Sequence, residues 1–361
     1  MASVRIALCI YYDKDIEKML EVERNLPIEH LSYLERRKYW KQIEAKVVEK
    51  LPSLPNLLKT RVSKFIRPIH LEIEKWVLDH EGVGNLCAPY CYLNYKSFLF
   101  WKTDGTIDRM QTAKNFVQNK NFDPETRFAM ACTYFLEDEV LALWHGEEVF
   151  NGKTISRYGT SAAVRFWVKR LKKGSRRKRP WKEEIDGYFK NLGMRDSDFR
   201  IKVSCFFSYL SEESKEKYLI LHNWYPHSDD FRLCFQAMDE RERVELFSEY
   251  TVLFLYRCLE WPFQSLFIDM ANHLRSHMDA KKFKAVLDRI ILSCIFPGFE
   301  DFDYAGLLNE FWHDSPDSYK KKIKKRKHCF KVIELVLNYD KERAPLSLPE
   351  AVEEFIPKYF D

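Results

Sequence analysis

At 361 residues the chain suits one large domain or two to three ordinary ones, and 46% apolar, 15% aromatic and 31% charged residues supply both a sizeable core and a solvated surface. Eleven glycines are few for architectures that need tight turns and close approach to phosphate, which disfavours β-sandwiches and doubly wound nucleotide folds. The net charge of +5 is concentrated: eight lysines and arginines lie in 169–179 and seven in 320–327, with no acid in either, so the rest has 44 basic against 54 acidic residues, a net −10.

The opening "MASVRIALCIYYDKD" is apolar for too short a stretch to span a membrane and has no basic leader or small-residue cleavage pattern, and no other run approaches about 18 uncharged apolar residues. Nine cysteines, an odd number without regular spacing, point to reduced thiols inside the cell, with the cytoplasm as the expected location and the nucleus as the alternative. Cys132, Cys258 and Cys294 fall on apolar stripes and read as small core residues.

Residues 28–51 read as a long helix on the spacing of Ile28, Leu31, Leu34, Ile43, Val47 and Leu51. Pro52 and Pro55 end it, so a new element is expected near residue 56. The stretch 56–80 reads as helix with a break or kink at Pro68, and 81–101 as a long loop with room for a short strand. In 105–119 Ile107, Met110, Ala113, Phe116 and Val117 make one stripe that starts after Thr106 as N-cap. Asp123 as N-cap, Pro124 in the first helical position and Glu125 at the positive end of the dipole start the next helix, with Phe128, Ala131, Cys132 and Phe135 on one side. The acids at 137–139 are expected to separate it from a short turn that ends at Trp144.

The second half continues in kind. Val244, Phe247, Thr251, Phe254 and Cys258 form one stripe, Phe263, Leu266, Phe267, Met270 and Leu274 a second, and Phe283, Val286, Leu287, Ile290, Ile291 and Cys294 a third. A helix is expected at 328–338, and Ser347 with Glu350 gives a capping-box start to the last one. The expected fold is all-α, an irregular, α-solenoid-like array of stacked antiparallel helical hairpins. Its expected lobes are 1–171 and 182–361, joined by an exposed basic loop at 172–181 or fused into one continuous array; no exact internal repeat is visible.

The stretch "DGTIDRMQTAKNFVQNKNFDPETRFAMACTYFLEDEVLALW", 104–144, resembles a signature of a lineage-expanded set of arthropod proteins, with a "GTID" start, a "TA" helix and an "RF..AC.Y" helix ending near "LW". "LPSLPNLL" and "EIEKWVLDH" resemble the same set, and 190–361 does so only loosely. The resemblance implies an intracellular all-α helical-repeat (ankyrin-like) protein with no known activity, although no "TPLH" motif occurs. It brings no catalytic residue with it.

The candidate surface for an anionic partner or an import receptor is the pair of basic runs: Lys169, Arg170, Lys172, Lys173, Arg176, Arg177, Lys178 and Arg179, then Lys320, Lys321, Lys322, Lys324, Lys325, Arg326 and Lys327. Each run also has a plain reading as solvated surface. Only Phe166, Trp167 and Trp181 flank the first, which is poor in the interleaved aromatics that nucleic-acid stacking uses. The second leads into an apolar helix, so either that helix starts late or the run extends its exposed face against the dipole. Asp269, His273 and His277, spaced by four, are the best metal candidate, but structural histidines are the better reading and no metal or other cofactor is expected. Cys87 and Cys91 have the wrong spacing for a zinc knuckle. Walker, dinucleotide, nucleophile-elbow and HExxH signatures are absent. The expectation is a non-catalytic scaffold that binds another protein, not a membrane. A nuclear or nucleic-acid-associated protein is the alternative, and a metal-dependent enzyme a weaker one.

Overall fold

The computed structural model describes residues 2–25, 33–84, 98–146, 161–172, 179–190, 202–222, 228–340 and 346–359. The chain is all-α. Among the described residues the only β feature is an isolated antiparallel bridge between Trp101 and Ile107, and no helix is long and apolar enough to cross a membrane.

Helices α1 (Ala2–Tyr11) and α2 (Lys14–Asn25) bury Val4, Ala7 and Tyr11, then Ile16, Leu20 and Glu23. Neither was expected, although both show spacings of three and four. In α3 (Tyr33–Glu49) the buried face is Arg37, Trp40, Ile43 and Val47; Leu34 is half-buried, and Ile28 and Leu31 lie outside the described residues. Helix α4 (Asn56–His80) begins where the prolines place it and runs on through Pro68. Losing one ladder bond at a proline costs about 3 kcal/mol, whereas Ile66, Ile69, Ile73, Trp76 and Val77 are all fully buried at about 1.5–3 kcal/mol each. Burial wins, so the expected break is absent.

The N-cap of α5 (Arg109–Gln118) is Asp108, whose carboxylate accepts the Gln111 amide at 3.0 Å, not Thr106. Met110 of the expected stripe is exposed, and Arg109 and Thr112 share the buried face with Ala113, Phe116 and Val117. Helix α6 (Pro124–Thr133) starts as expected, with Asp123 accepting the Thr126 amide at 2.9 Å. The acids expected to break the chain instead fill the first turn of α7 (Glu137–His145), where they complement the dipole. Then follow α8 (Ala162–Lys172), α9 (Trp181–Phe189), α10 (Glu212–His222) and α11 (Ser228–Ala237). Helix α12 (Glu240–Cys258) is interrupted at Tyr250, with φ −107° and ψ 24°; Phe247, Thr251, Phe254 and Cys258 are buried, but Val244 is exposed. In the next stripe Phe267 and Leu274 are buried and Leu266 is exposed. The chain closes with α13 (Phe267–His273), α14 (Ala280–Ile290), a π-helical turn Ile291–Ile295, α15 (Tyr304–His313), α16 (Asp317–Lys324), α17 (Lys327–Leu337) and α18 (Leu348–Glu353). All six residues of the Phe283–Cys294 stripe are buried, and Ser347 and Glu350 form the expected capping box.

The chain divides into two compact units, residues 1–70 with 103–105 and 241–361, and residues 71–102 with 106–240. This grouping differs from lobes divided at 172–181, because the helices on both sides of that segment belong to the second unit. In the first unit the two ends of the chain meet: Arg37 donates to the Phe296 carbonyl at 2.7 Å and pairs with Glu353. Helices stacked strictly in chain order would contact only their neighbours, so this unit is not such a stack. Gly105, at φ +87°, lies where an added Cβ would stand 2.2 Å from the Trp261 ring and 2.7 Å from Val4. The second unit centres on Phe135, whose φ of +52° is unusual for a side chain of that size. Its ring packs against Phe206 at 4.6 Å and against Trp181, Trp167 and Phe166 at 5.3–5.9 Å.

Candidate functional site

The basic run 320–327 is a helical hairpin in the first unit. Ile323 and Cys329 are buried and anchor it, while Lys321, Lys322, Lys324, Lys325, Arg326 and Lys327 are exposed. Lys321, Lys322 and Lys324 sit in the last turn of α16, where the negative end of the helix dipole favours them. The apolar helix starts late, at Lys327, as one of the two expectations had it; that the run first ends the preceding helix was not foreseen. Lys320 is half-buried; it donates to the His313 carbonyl at 2.9 Å and lies 3.7 Å from Asp317. Among the described residues no acid pairs with the six exposed cations. His328 and Lys331 continue the exposed basic surface onto α17.

The run 169–179 behaves differently. Lys169, Arg170 and Lys172 belong to the last turn of α8, not to a loop. Arg170 is buried and paired with Glu184 at 3.1 Å, which removes it from the expected surface. Lys169 lies 5.9 Å from the Tyr188 ring; Lys172 and Arg179 are exposed. Lys173, Arg176, Arg177 and Lys178 lie outside the described residues. Phe166, Trp167 and Trp181 are buried at 3%, 1% and 6% exposure, so none of them offers a face to a base.

The titratable groups that sequence reasoning missed are inside. In the second unit the Asp79 carboxylate accepts from Arg109 at 2.5 Å and from Lys202 at 3.3 Å, and Glu72 stands 4.0 Å from Arg109. All four are buried, and their charges cancel. His80 donates through Nδ1 to the Trp76 carbonyl at 2.6 Å, which leaves Nε2 to accept the Tyr134 hydroxyl at 2.8 Å. Burial, reinforced by the Lys202 charge, holds the His80 imidazole well below its ordinary range, so it is neutral. Asp230 accepts the amides of Val203 and Ser204 at 3.0 and 3.1 Å and the hydroxyls of Ser204 and Tyr218. Burial pushes the nearby Cys205 thiol up to about 12, far from a reactive thiolate.

In the first unit, Glu23 and His70 are buried together. The Tyr11 hydroxyl lies 2.9 Å from His70 Nδ1, His70 Nε2 lies 3.4 Å from Glu23, and Arg36 lies 3.1 Å from the other Glu23 oxygen. Burial raises the Glu23 carboxyl, but the His70 hydrogen bond and the charges of His70, Arg36 and Arg67 outweigh it and bring it below the ordinary value. A signal for these residues did exist. His70 and His80 stand at helical spacing among the apolar stripe Ile66, Ile73, Trp76 and Val77, and a polar group on such a stripe must find a buried partner. Lys202 and Asp230 lie in segments with no such local mark.

Asp269, His273 and His277 do not share one helical side: α13 ends at His273, and His277 belongs to a separate 3-10 turn, Arg275–His277. Asp269 and His273 are exposed, and the His273 ring meets Phe247 edge-on at 5.4 Å. Cys87 and Cys91 lie outside the described residues. Cys132, Cys258 and Cys294 are buried free thiols, as their stripes implied. Comparison with protein-family models, with curated proteins and with solved structures finds no match for this chain.

Proposed function

We propose that the protein is a non-catalytic helical scaffold that acts by binding another protein. The observation that carries this reading is how Asp79 and His80, buried in the second unit, are used. Asp79 is committed to Arg109 and Lys202, and both His80 nitrogens are committed to fixed partners. Groups held in this way stabilise a fold, whereas a catalytic acid or base must keep a proton position open toward a substrate. The likeness of 104–144 to ankyrin-like helical-repeat proteins agrees with it, and the cytoplasm is the location that goes with it.

Cross-linking of the intact chain in cell extract, followed by titration with the purified partner, tests the reading. A stoichiometric partner contacting exposed helical residues upholds it. Recovery of none, together with turnover of a metabolite by the purified chain, overturns it. A nuclear or nucleic-acid-associated role is the second reading, favoured by the exposed cations of the α16–α17 hairpin. It requires that alanine at Lys321, Lys322, Lys324, Lys325, Arg326 and Lys327, or at Lys172, Lys173, Arg176, Arg177, Lys178 and Arg179 of the other run, abolish nuclear accumulation or salt-sensitive binding.

A further inference from the structure

We propose that the tip of the α16–α17 hairpin is a docking surface for an acidic protein segment, a short run of aspartate and glutamate side chains; this rests on the binding role proposed above. Six cations are exposed between Lys321 and Lys327, and the buried Ile323 and Cys329 hold the two helix ends that carry them. Like charges gathered on a fixed support repel one another, and a carboxylate-rich segment relieves that repulsion along the whole tip. The nearest acid in sequence, Asp317, is at the far end of α16 and lies beside Lys320. At about 1.5 Å per residue α16 is about 12 Å long, a length matched by a few residues of extended peptide.

The side chains of the tip select among anionic partners. Five of the six exposed cations are lysines and one is arginine, Arg326, so the tip presents mobile point charges, not the paired planar forks that recognise phosphate bidentately. Its neighbouring rings are half-buried and already in contact: Tyr319 donates to the Met278 carbonyl at 2.6 Å, and Phe330 lies 6.0 Å from Trp312 with the Lys324 ammonium 5.4 Å from its ring centroid. No exposed ring at the tip offers a base a stacking platform, and no exposed apolar side chain there enters a lipid headgroup layer. Carboxylates on a flexible peptide need neither.

The test is fluorescence anisotropy of the full chain with a fluorescein-labelled octaglutamate peptide at low and physiological salt. The quadruple variant Lys321→Glu, Lys322→Glu, Lys324→Glu, Lys325→Glu is compared with a glutamine version of the same four positions and with Lys114→Glu, an exposed lysine of α5 outside both basic runs, as a control, each checked for an unchanged circular-dichroism melt. The expected result is salt-sensitive binding that weakens at least about tenfold in the charge-reversed chain, weakens less in the glutamine version, and is unaltered by Lys114→Glu. Equal binding by all variants, or none by the unmodified chain, overturns the proposal. So does duplex DNA or a phosphatidylserine vesicle that binds the same lysines tenfold more tightly, or salt-sensitive self-association that the substitutions abolish. If the quadruple variant still cross-links to protein partners, the tip proposal fails alone; if the unmodified chain binds octaglutamate but no protein partner, the scaffold reading fails alone.

Discussion

Replacing Asp79 by asparagine removes the one charge that faces two buried cations. Its carboxylate accepts from Arg109 at 2.5 Å and from Lys202 at 3.3 Å, and the three side chains are 7%, 8% and 3% exposed. Asparagine keeps the volume but takes away the carboxylate charge that both cations share, while Glu72 stands 4.0 Å from Arg109. Breaking a buried ion pair in this way costs about 3–5 kcal/mol, a large share of the roughly 5–15 kcal/mol that separates a folded domain from its unfolded chain. At about 2–4 °C per kcal/mol for a unit of 150–250 residues, the melting midpoint of the second unit should fall by about 6–20 °C. Calorimetry and urea titration followed by far-ultraviolet circular dichroism read both quantities. Adding Lys202→Met to Asp79→Asn removes one stranded cation and should restore about 0.5–3 kcal/mol relative to additivity. A loss below about 1 kcal/mol for Asp79→Asn alone is the size of an exposed pair; it would mean that water already reaches the cluster, and the reasoning would fail.

Gly105→Ala should destabilise the first unit by about 2–4 kcal/mol through positive-φ strain and overpacking, because its new Cβ would meet Trp261 and Val4; an unchanged urea midpoint refutes this. Burial pushes the Asp301 carboxyl up to about 6, against its hydrogen bond from Tyr304, the Arg67 charge and the Gln264 hydrogen bond. A raised carboxyl pKa means that the folded chain holds a proton the unfolded chain has already released, so stability should fall as pH climbs from about 4 to about 6. Asp301→Asn should flatten that slope in urea midpoints measured against pH, and an unaltered slope counts against it. Burial pushes the Cys258 and Cys294 thiols up to about 12, while Cys9 is exposed. In the native protein iodoacetamide should therefore modify Cys9 well before either, as peptide mass spectrometry reads; equal rates would contradict their burial.

Local chemistry was legible where one element sufficed to decide it. Asp123 with Pro124 and Ser347 with Glu350 announced helix starts because caps act within four residues. The Phe283–Cys294 stripe announced a buried face because its spacing is strictly helical. Local signals misled where burial outweighed them, as at Pro68 inside α4, or where one signal has two meanings, as at Glu137–Glu139, which starts α7 when read as a dipole and breaks a helix when read as charge density. Of the two basic runs, the one at 320–327 is exposed on a hairpin, whereas Arg170 of the other is spent on Glu184. The two segments look alike in sequence, because a cation's partner need not lie near it along the chain.

By itself the sequence determined that the chain is helical, where several of its helices begin, and which apolar residues they hide, since periodicity and capping depend on residues a few positions apart. Only the tertiary structure decided that Arg37 meets Phe296 and Glu353, that Asp79 holds both Arg109 and Lys202, and that the chain's two ends share one compact unit. A buried charge is stable only beside its counterion, and what brings those partners together is the packing of helices far apart in the chain.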